Sequence, residues 1–129
     1  MNTLHSIDQL RASFSYDAIQ IAKESSAKQS EVKSYNKKMP LLIKTNGLAQ
    51  TLAFYRAKGT GSKSYQIVYD ILSTWFRAET PFKMMTTDEG FLEQVIRLET
   101  RQYMMLTDET ILLLNWLRRF ADIELKKEG

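Results

Sequence analysis

KKMPLLIKTNGLAQTLAFYRAKG, residues 37–59, carries five basic side chains and no acidic one. Its apolar residues recur three and four apart on both sides of Pro40 and of the Asn46-Gly47 pair. That period belongs to an α-helix, because side chains three or four positions apart share one face. A proline in a helix interior removes an amide donor and crowds the carbonyl four residues back, here Asn36, so the spacing predicts a helix kinked at Pro40. Asn and Gly most readily take the left-handed conformation that ends a helix, so a break is expected at Asn46-Gly47. Leu48, Leu52 and Tyr55 then restart the period. A strand hairpin around Asn-Gly needs alternating flanks, which are missing here.

Upstream, Ser6 and Gln9 have the spacing of a capping box, and Ile7, Leu10, Phe14, Ala18, Ile21 and Ala22 form one apolar stripe to about residue 25. A short turn is expected near Ala27. Val32, Tyr35, Met39, Leu42 and Ile43 carry the second helix to the break. Downstream, Gly59 to Tyr65 reads as one flexible loop; a phosphate-cradling loop is not expected there, since the Gly-Lys-Ser order is wrong and no strand precedes it. Ile67, Ile71, Leu72, Trp75 and Phe76 mark a helix that stops before Pro81. Thr86 with Glu89 suggests a capping box for a helix holding Phe91, Leu92, Val95, Ile96 and Leu98. Thr107, with Asp108 and Glu109 in the dipole-favoured first turn, is the expected start of a closing helix through Leu113, Leu114, Leu117 and Phe120. Lys126 to Gly129 should fray. No segment alternates at period two and no repeat is visible, so the chain is expected to be all-α, one domain over residues 1–129, a compact bundle of about five to seven helices.

A chain of 129 residues with 43% hydrophobic content can bury a core without staples. With no Cys, disulfides, thiolate metal sites and thiol nucleophiles are excluded, and a reducing cytoplasmic setting is expected. The N-terminal MNTLHSIDQLRASF lacks a basic region followed by an apolar one, and the longest aliphatic run is Ile111 to Leu114, so neither a secretory signal nor a membrane span is expected.

Reactive groups are sparse. His5 is the only histidine, which leaves no zinc cluster and no histidine base for a serine nucleophile except His5 itself. Glu89 and Glu93 share a helix face and could hold magnesium, although exposed acidic faces are far commoner; Asp88, Glu89, Asp108 and Glu109 are more simply read as acids at helix starts. No enzymatic activity and no cofactor are expected. Met84, Met85, Met104 and Met105 are read as core fillers.

Charge is distributed unevenly. Residues 1–64 hold 10 Lys and Arg against 4 Asp and Glu, whereas residues 65–129 hold 8 against 11. Between Glu31 and Asp70 there is no carboxylate, yet Lys33, Lys37, Lys38, Lys44, Arg56, Lys58 and Lys63 all fall there. An ordinary solvated helix mixes signs to gain pairs one turn apart. Both a surface that faces phosphates and a chance cluster on a soluble protein fit this pattern. Tyr35, Phe54, Tyr55, Tyr65 and Tyr69 lie in or beside the window but mostly on apolar stripes, so each is expected in the core, and phosphate contact is favoured over base reading.

Lys38-Met-Pro-Leu-Leu-Ile43 followed by Asn46-Gly-Leu-Ala-Gln-Thr-Leu-Ala-Phe54, with Lys58 beyond, resembles the signature of the small Cmr proteins, the small subunits of type III-B CRISPR effector complexes. The similarity continues through Tyr103, Thr107, Glu109 and Asn115-Trp-Leu-Arg-Arg-Phe-Ala121, and touches Arg11-Ala12. Met39 and Met104 depart from the family pattern. The resemblance implies a non-catalytic helical subunit that stacks in several copies beside a guide-bearing filament. Its partners would be a large subunit, backbone subunits, further copies of itself, guide RNA and target RNA. On this reading Lys37, Lys38 and Lys44 are aimed toward one groove, with Arg56, Lys58 and Lys63 along its edge, to follow an RNA backbone without reading sequence. Asp88, Glu89 and Glu93 would then meet the basic window of a neighbouring copy. Two other readings remain open: a stand-alone DNA-binding helical protein, and a scaffold for an acidic partner.

Overall fold

A computed structural model of the chain describes residues 5–78, 83 and 90–126. Among these, six helices and no strand are found: α1 (Ile7–Glu24), α2 (Gln29–Asn46), α3 (Leu48–Gly59), α4 (Lys63–Arg77), α5 (Phe91–Val95) and α6 (Thr100–Glu124). The Ser6–Gln9 capping box is present in both directions, at 2.8 and 3.1 Å. The Thr86–Glu89 box, Met84, Met85 and the stop at Pro81 lie outside the described residues.

Pro40 stands inside α2, which continues to Asn46 although proline has no N–H for the carbonyl of Asn36. Gly47 alone separates α2 from α3. Its φ of 89° and ψ of 161° are open to glycine and strained for other residues, and its N–H closes α2 on the Ile43 carbonyl at 2.7 Å. The break expected at Asn46-Gly47 is therefore one residue long.

The expected Gly59–Tyr65 loop shrinks to Thr60, Gly61 and Ser62, because the Ser62 hydroxyl accepts the Tyr65 N–H and starts α4 at Lys63. A larger correction concerns the last helix. It begins at Thr100, and Thr107 is an interior residue whose hydroxyl donates to the Tyr103 carbonyl at 2.8 Å. Thr can bond back to the carbonyl four residues earlier as readily as it can cap, so the local start signal misleads.

The helices enclose one core. α6 packs along α1 and α2, and α4 packs on α2 and α3. Trp75, Phe76, Tyr55, Met39, Leu52, Leu113, Leu114 and Leu117 are almost completely buried. Each such side chain contributes about 1.5–3 kcal/mol relative to exposure. Met104 and Met105, expected as core fillers, are exposed on α6. The tail is docked as far as Lys126: Leu125 is buried and the Lys126 N–H reaches Gln29.

Two polar devices tie the bundle together. Arg11 donates from Nε and Nη2 to both oxygens of Glu109, at 2.8 and 2.6 Å, and Trp75 Nε1 donates to the same carboxylate at 3.0 Å. Glu109 is thus a buried counter-ion joining α1, α4 and α6, and not the first-turn acid that the sequence suggests. Its bond to Arg11 raises the guanidinium's already high pKa. Asp8, next in the chain of contacts, accepts from Trp116 Nε1 and Arg11, with the Trp116 bond chiefly holding its carboxyl below the usual range.

The second device is a borrowed cap. α3 has no side-chain cap of its own, and its Ala49 N–H donates to the Tyr103 hydroxyl of α6 at 2.9 Å. Similarly, the Leu92 N–H of α5 donates to the Tyr69 hydroxyl of α4 at 3.0 Å. Amides orphaned at a helix start need such acceptors.

Candidate nucleic-acid interface

The basic residues singled out from sequence sit on α2, α3 and the start of α4, and folding sorts them into distinct settings. Lys37 and Lys44 are seven positions apart on one exposed face of α2, with Leu41, 69% exposed, between them. Lys38, one position on, is turned about 100° away by the helical repeat and faces the neighbouring aromatic cluster instead. Its ammonium donates to the Tyr65 hydroxyl at 2.6 Å and lies 4.7, 5.0 and 5.9 Å from the ring centres of Tyr35, Tyr65 and Phe54.

Those rings form a packed group. Tyr35 and Tyr65 stack at 3.8 Å, while Tyr55 and Phe54 meet Tyr65 edge-on. Tyr55 is wholly buried and donates its hydroxyl to the Tyr35 carbonyl. Burial holds the Tyr55 phenol well above the usual tyrosine range. Phe54 is the exception to the expected burial, at 42% exposed.

Lys58 and Lys63 are brought onto one groove of about 670 Å³, together with Lys28 from the start of α2. Lys28 escapes sequence reasoning because it lies 30 residues from Lys58 and outside the carboxylate-free window. Hydroxyls of Thr60, Ser62 and Ser64 line the same groove. So does Glu31, whose carboxylate accepts the Ser64 hydroxyl at 2.9 Å.

The remaining cations are neutralised by carboxylates from distant helices. Arg56 pairs with Glu93 of α5 at 2.7 Å, and Lys33 lies 3.7 Å from Asp122 of α6. The Arg56 bond holds the Glu93 carboxyl below its usual range. A window free of acids in sequence is therefore not free of them in space. Among the described residues, Lys37, Lys38, Lys44, Lys58 and Lys63 have no carboxylate within ion-pair distance.

Chemically this array offers fixed positive charge and one open ring; the Thr60 and Ser64 hydroxyls already donate to the Ala57 carbonyl and to Glu31. Among the described residues no group of three His, Asp or Glu is placed to hold a metal ion, and no helix is long and apolar enough to cross a membrane.

Comparison with known proteins agrees with this architecture. The family model described as CRISPR-associated protein (Cas_Cmr5) matches residues 7–124. The fold is similar to the crystal structure of a CRISPR-associated Cmr5 family protein from Thermus thermophilus, with a TM-score of 0.77 at 21% identity, covering 95% of this chain and all of that one.

Proposed function

Since this chain belongs to the Cmr5 family of CRISPR-associated proteins, and so is a small subunit of a type III-B effector complex, we propose that it acts there without catalysis, as a cytoplasmic RNA-supporting subunit. Copies of it stack beside the guide-bearing backbone and hold the paired guide and target RNA through phosphate contacts. Large and backbone subunits are its protein partners.

The observation that supports this most is the set of lysines on α2, α3 and α4 that face solvent with no carboxylate within ion-pair distance among the described residues: Lys37, Lys44, Lys58 and Lys63. Such charges bind phosphates by releasing counterions and carry no sequence preference. Lys38 and Arg56 play a second role in this reading, since the first is held by Tyr65 and the second must leave Glu93 to meet a phosphate.

Anisotropy titration of labelled single-stranded RNA against salt tests the proposal. Four phosphate contacts give a log-log slope of about −3, from ~0.7 per contact. Lys44→Glu combined with Lys58→Glu weakens binding equally for unrelated sequences and flattens the slope. Binding unaltered by that pair of reversals would refute the phosphate surface, and preferential, saturable binding of one duplex DNA sequence would favour a DNA-binding protein instead. Binding of an acidic protein with no affinity for RNA would point to a scaffold.

A further inference from the structure

On α2, Lys38, Leu42 and Asn46 follow at intervals of four, and on α3 so do Gln50, Phe54 and Lys58. Residues four apart lie one above another on a helix, so each helix presents a short row. Leu42, Asn46, Gln50, Thr51 and Phe54 enclose a cavity of about 210 Å³ at the α2–α3 junction. The ammonium groups of Lys38 and Lys58 lie over the Phe54 ring, 5.9 and 5.7 Å from its centre.

We propose that this cavity is a binding site for one unpaired nucleobase of an RNA strand, stacked on Phe54. The proposal rests on the RNA reading above and adds to it a contact with a base where that reading has only phosphates.

Four features select this ligand. Phe54 is the open ring of an otherwise covered aromatic group, and Tyr55 and Tyr65 hold it edge-on at 5.9 and 5.8 Å, so stacking on it costs little further ordering. The cavity is smaller than the roughly 300 Å³ at which drug-sized pockets begin, which suits a single planar ring system. Asn46 and Gln50 are among its lining residues, and their side-chain amides each carry both donors and an acceptor, as a base edge requires. Thr51 is not available as a donor, because its hydroxyl already donates to the Gly47 carbonyl at 2.9 Å.

The fourth feature is charge. Lys38 and Lys58 beside the ring disfavour a cationic side chain as occupant and favour a group that carries a phosphate. Lys58 also lines the larger groove with Lys28 and Lys63, so a strand leaving the cavity meets further ammonium groups. The base must be unpaired, because one within a duplex is stacked between its neighbours and cannot enter.

Binding to a fluorescein-labelled 12-nucleotide oligouridine, and to the same strand with 2-aminopurine at one central position, tests the site. Phe54→Leu keeps an apolar side chain against Tyr55 and Tyr65 but removes the stacking face, and Phe54→Trp keeps that face. Phe54→Leu is expected to weaken binding about 5- to 150-fold and to abolish the quenching of 2-aminopurine, with Phe54→Trp retaining both. Gln50→Ala is expected to weaken binding less. Wild-type affinity and quenching in Phe54→Leu would overturn the base site while leaving the phosphate surface standing. Failure of the wild-type chain to bind either strand would overturn the RNA reading and the base site together.

Discussion

Breaking the Arg11–Glu109 pair should destabilise this bundle more than any other single polar change described above. The Glu109 side chain is 1% exposed and that of Arg11 11%, and their two bonds measure 2.6 and 2.8 Å. Removing one partner of a buried pair leaves the other charge without compensation, a loss of about 3–5 kcal/mol. Asp8, 59% exposed and 3.2 Å from Arg11, gives the guanidinium an alternative partner, which places the expected value near the lower end, ~3 kcal/mol. Against a total stability of about 5–15 kcal/mol that is a large fraction. Glu109→Gln retains an acceptor for Trp75 and preserves the volume, so its effect isolates the charge. Arg11→Met removes the other charge while keeping much of the packing. Combined, the two substitutions leave no buried ion, and the pair should be less harmful than their sum by about 2 kcal/mol. Urea unfolding at pH 7, followed by tryptophan fluorescence and far-UV circular dichroism, measures all four proteins; Trp75 touches the pair directly. A coupling below about 0.5 kcal/mol would refute the view that this contact locks α1, α4 and α6 together.

Gly47→Ala should cost about 1–3 kcal/mol in the same assay, because the backbone there is strained for any residue with a Cβ. The added Cβ would lie 3.5 Å from the Tyr103 hydroxyl, an ordinary contact, so the cost is conformational and Gly47→Ala and Gly47→Ser should agree. Tyr103→Phe leaves the Ala49 amide without its acceptor and should lose about 1 kcal/mol with little change in helix content. Arg56→Gln should make the protein less sensitive to acid. Arg56 holds the Glu93 carboxyl below its ordinary value of 4.5, so the folded chain binds that proton more weakly than the unfolded one. The resulting stabilisation is present above that value and disappears as pH falls through the lower folded pKa, so thermal melts between neutral pH and pH 3 should show a larger loss in the wild type than in the variant.

The period of the apolar residues, the cap at Ser6 and the Asn46-Gly47 punctuation were enough to determine an all-α fold and the boundaries from the start of α1 to the end of α3. These signals are local: each depends on side chains within one or two turns, so one sequence suffices to read them. The same holds for the composition that leaves no thiol and a single histidine, and for the cluster of lysines near Pro40.

What depended on distant segments could not be read in that way. Thr107-Asp108-Glu109 has the local form of a helix start, but α6 runs through it because Glu109 is required inside the bundle as the counter-ion of Arg11, 98 positions away. Arg56 and Lys33 looked unpaired until α5 and α6 supplied Glu93 and Asp122. Phe54 and Tyr55 are adjacent and equally apolar in sequence, yet the packing of α3 against α2 and α4 buries one and leaves the other open beside two lysines. Local periodicity determines which residues form a helix and which share its face; tertiary packing alone decides which faces are covered and which charges remain free, because burial and Coulomb interactions depend on distance in space and not along the chain.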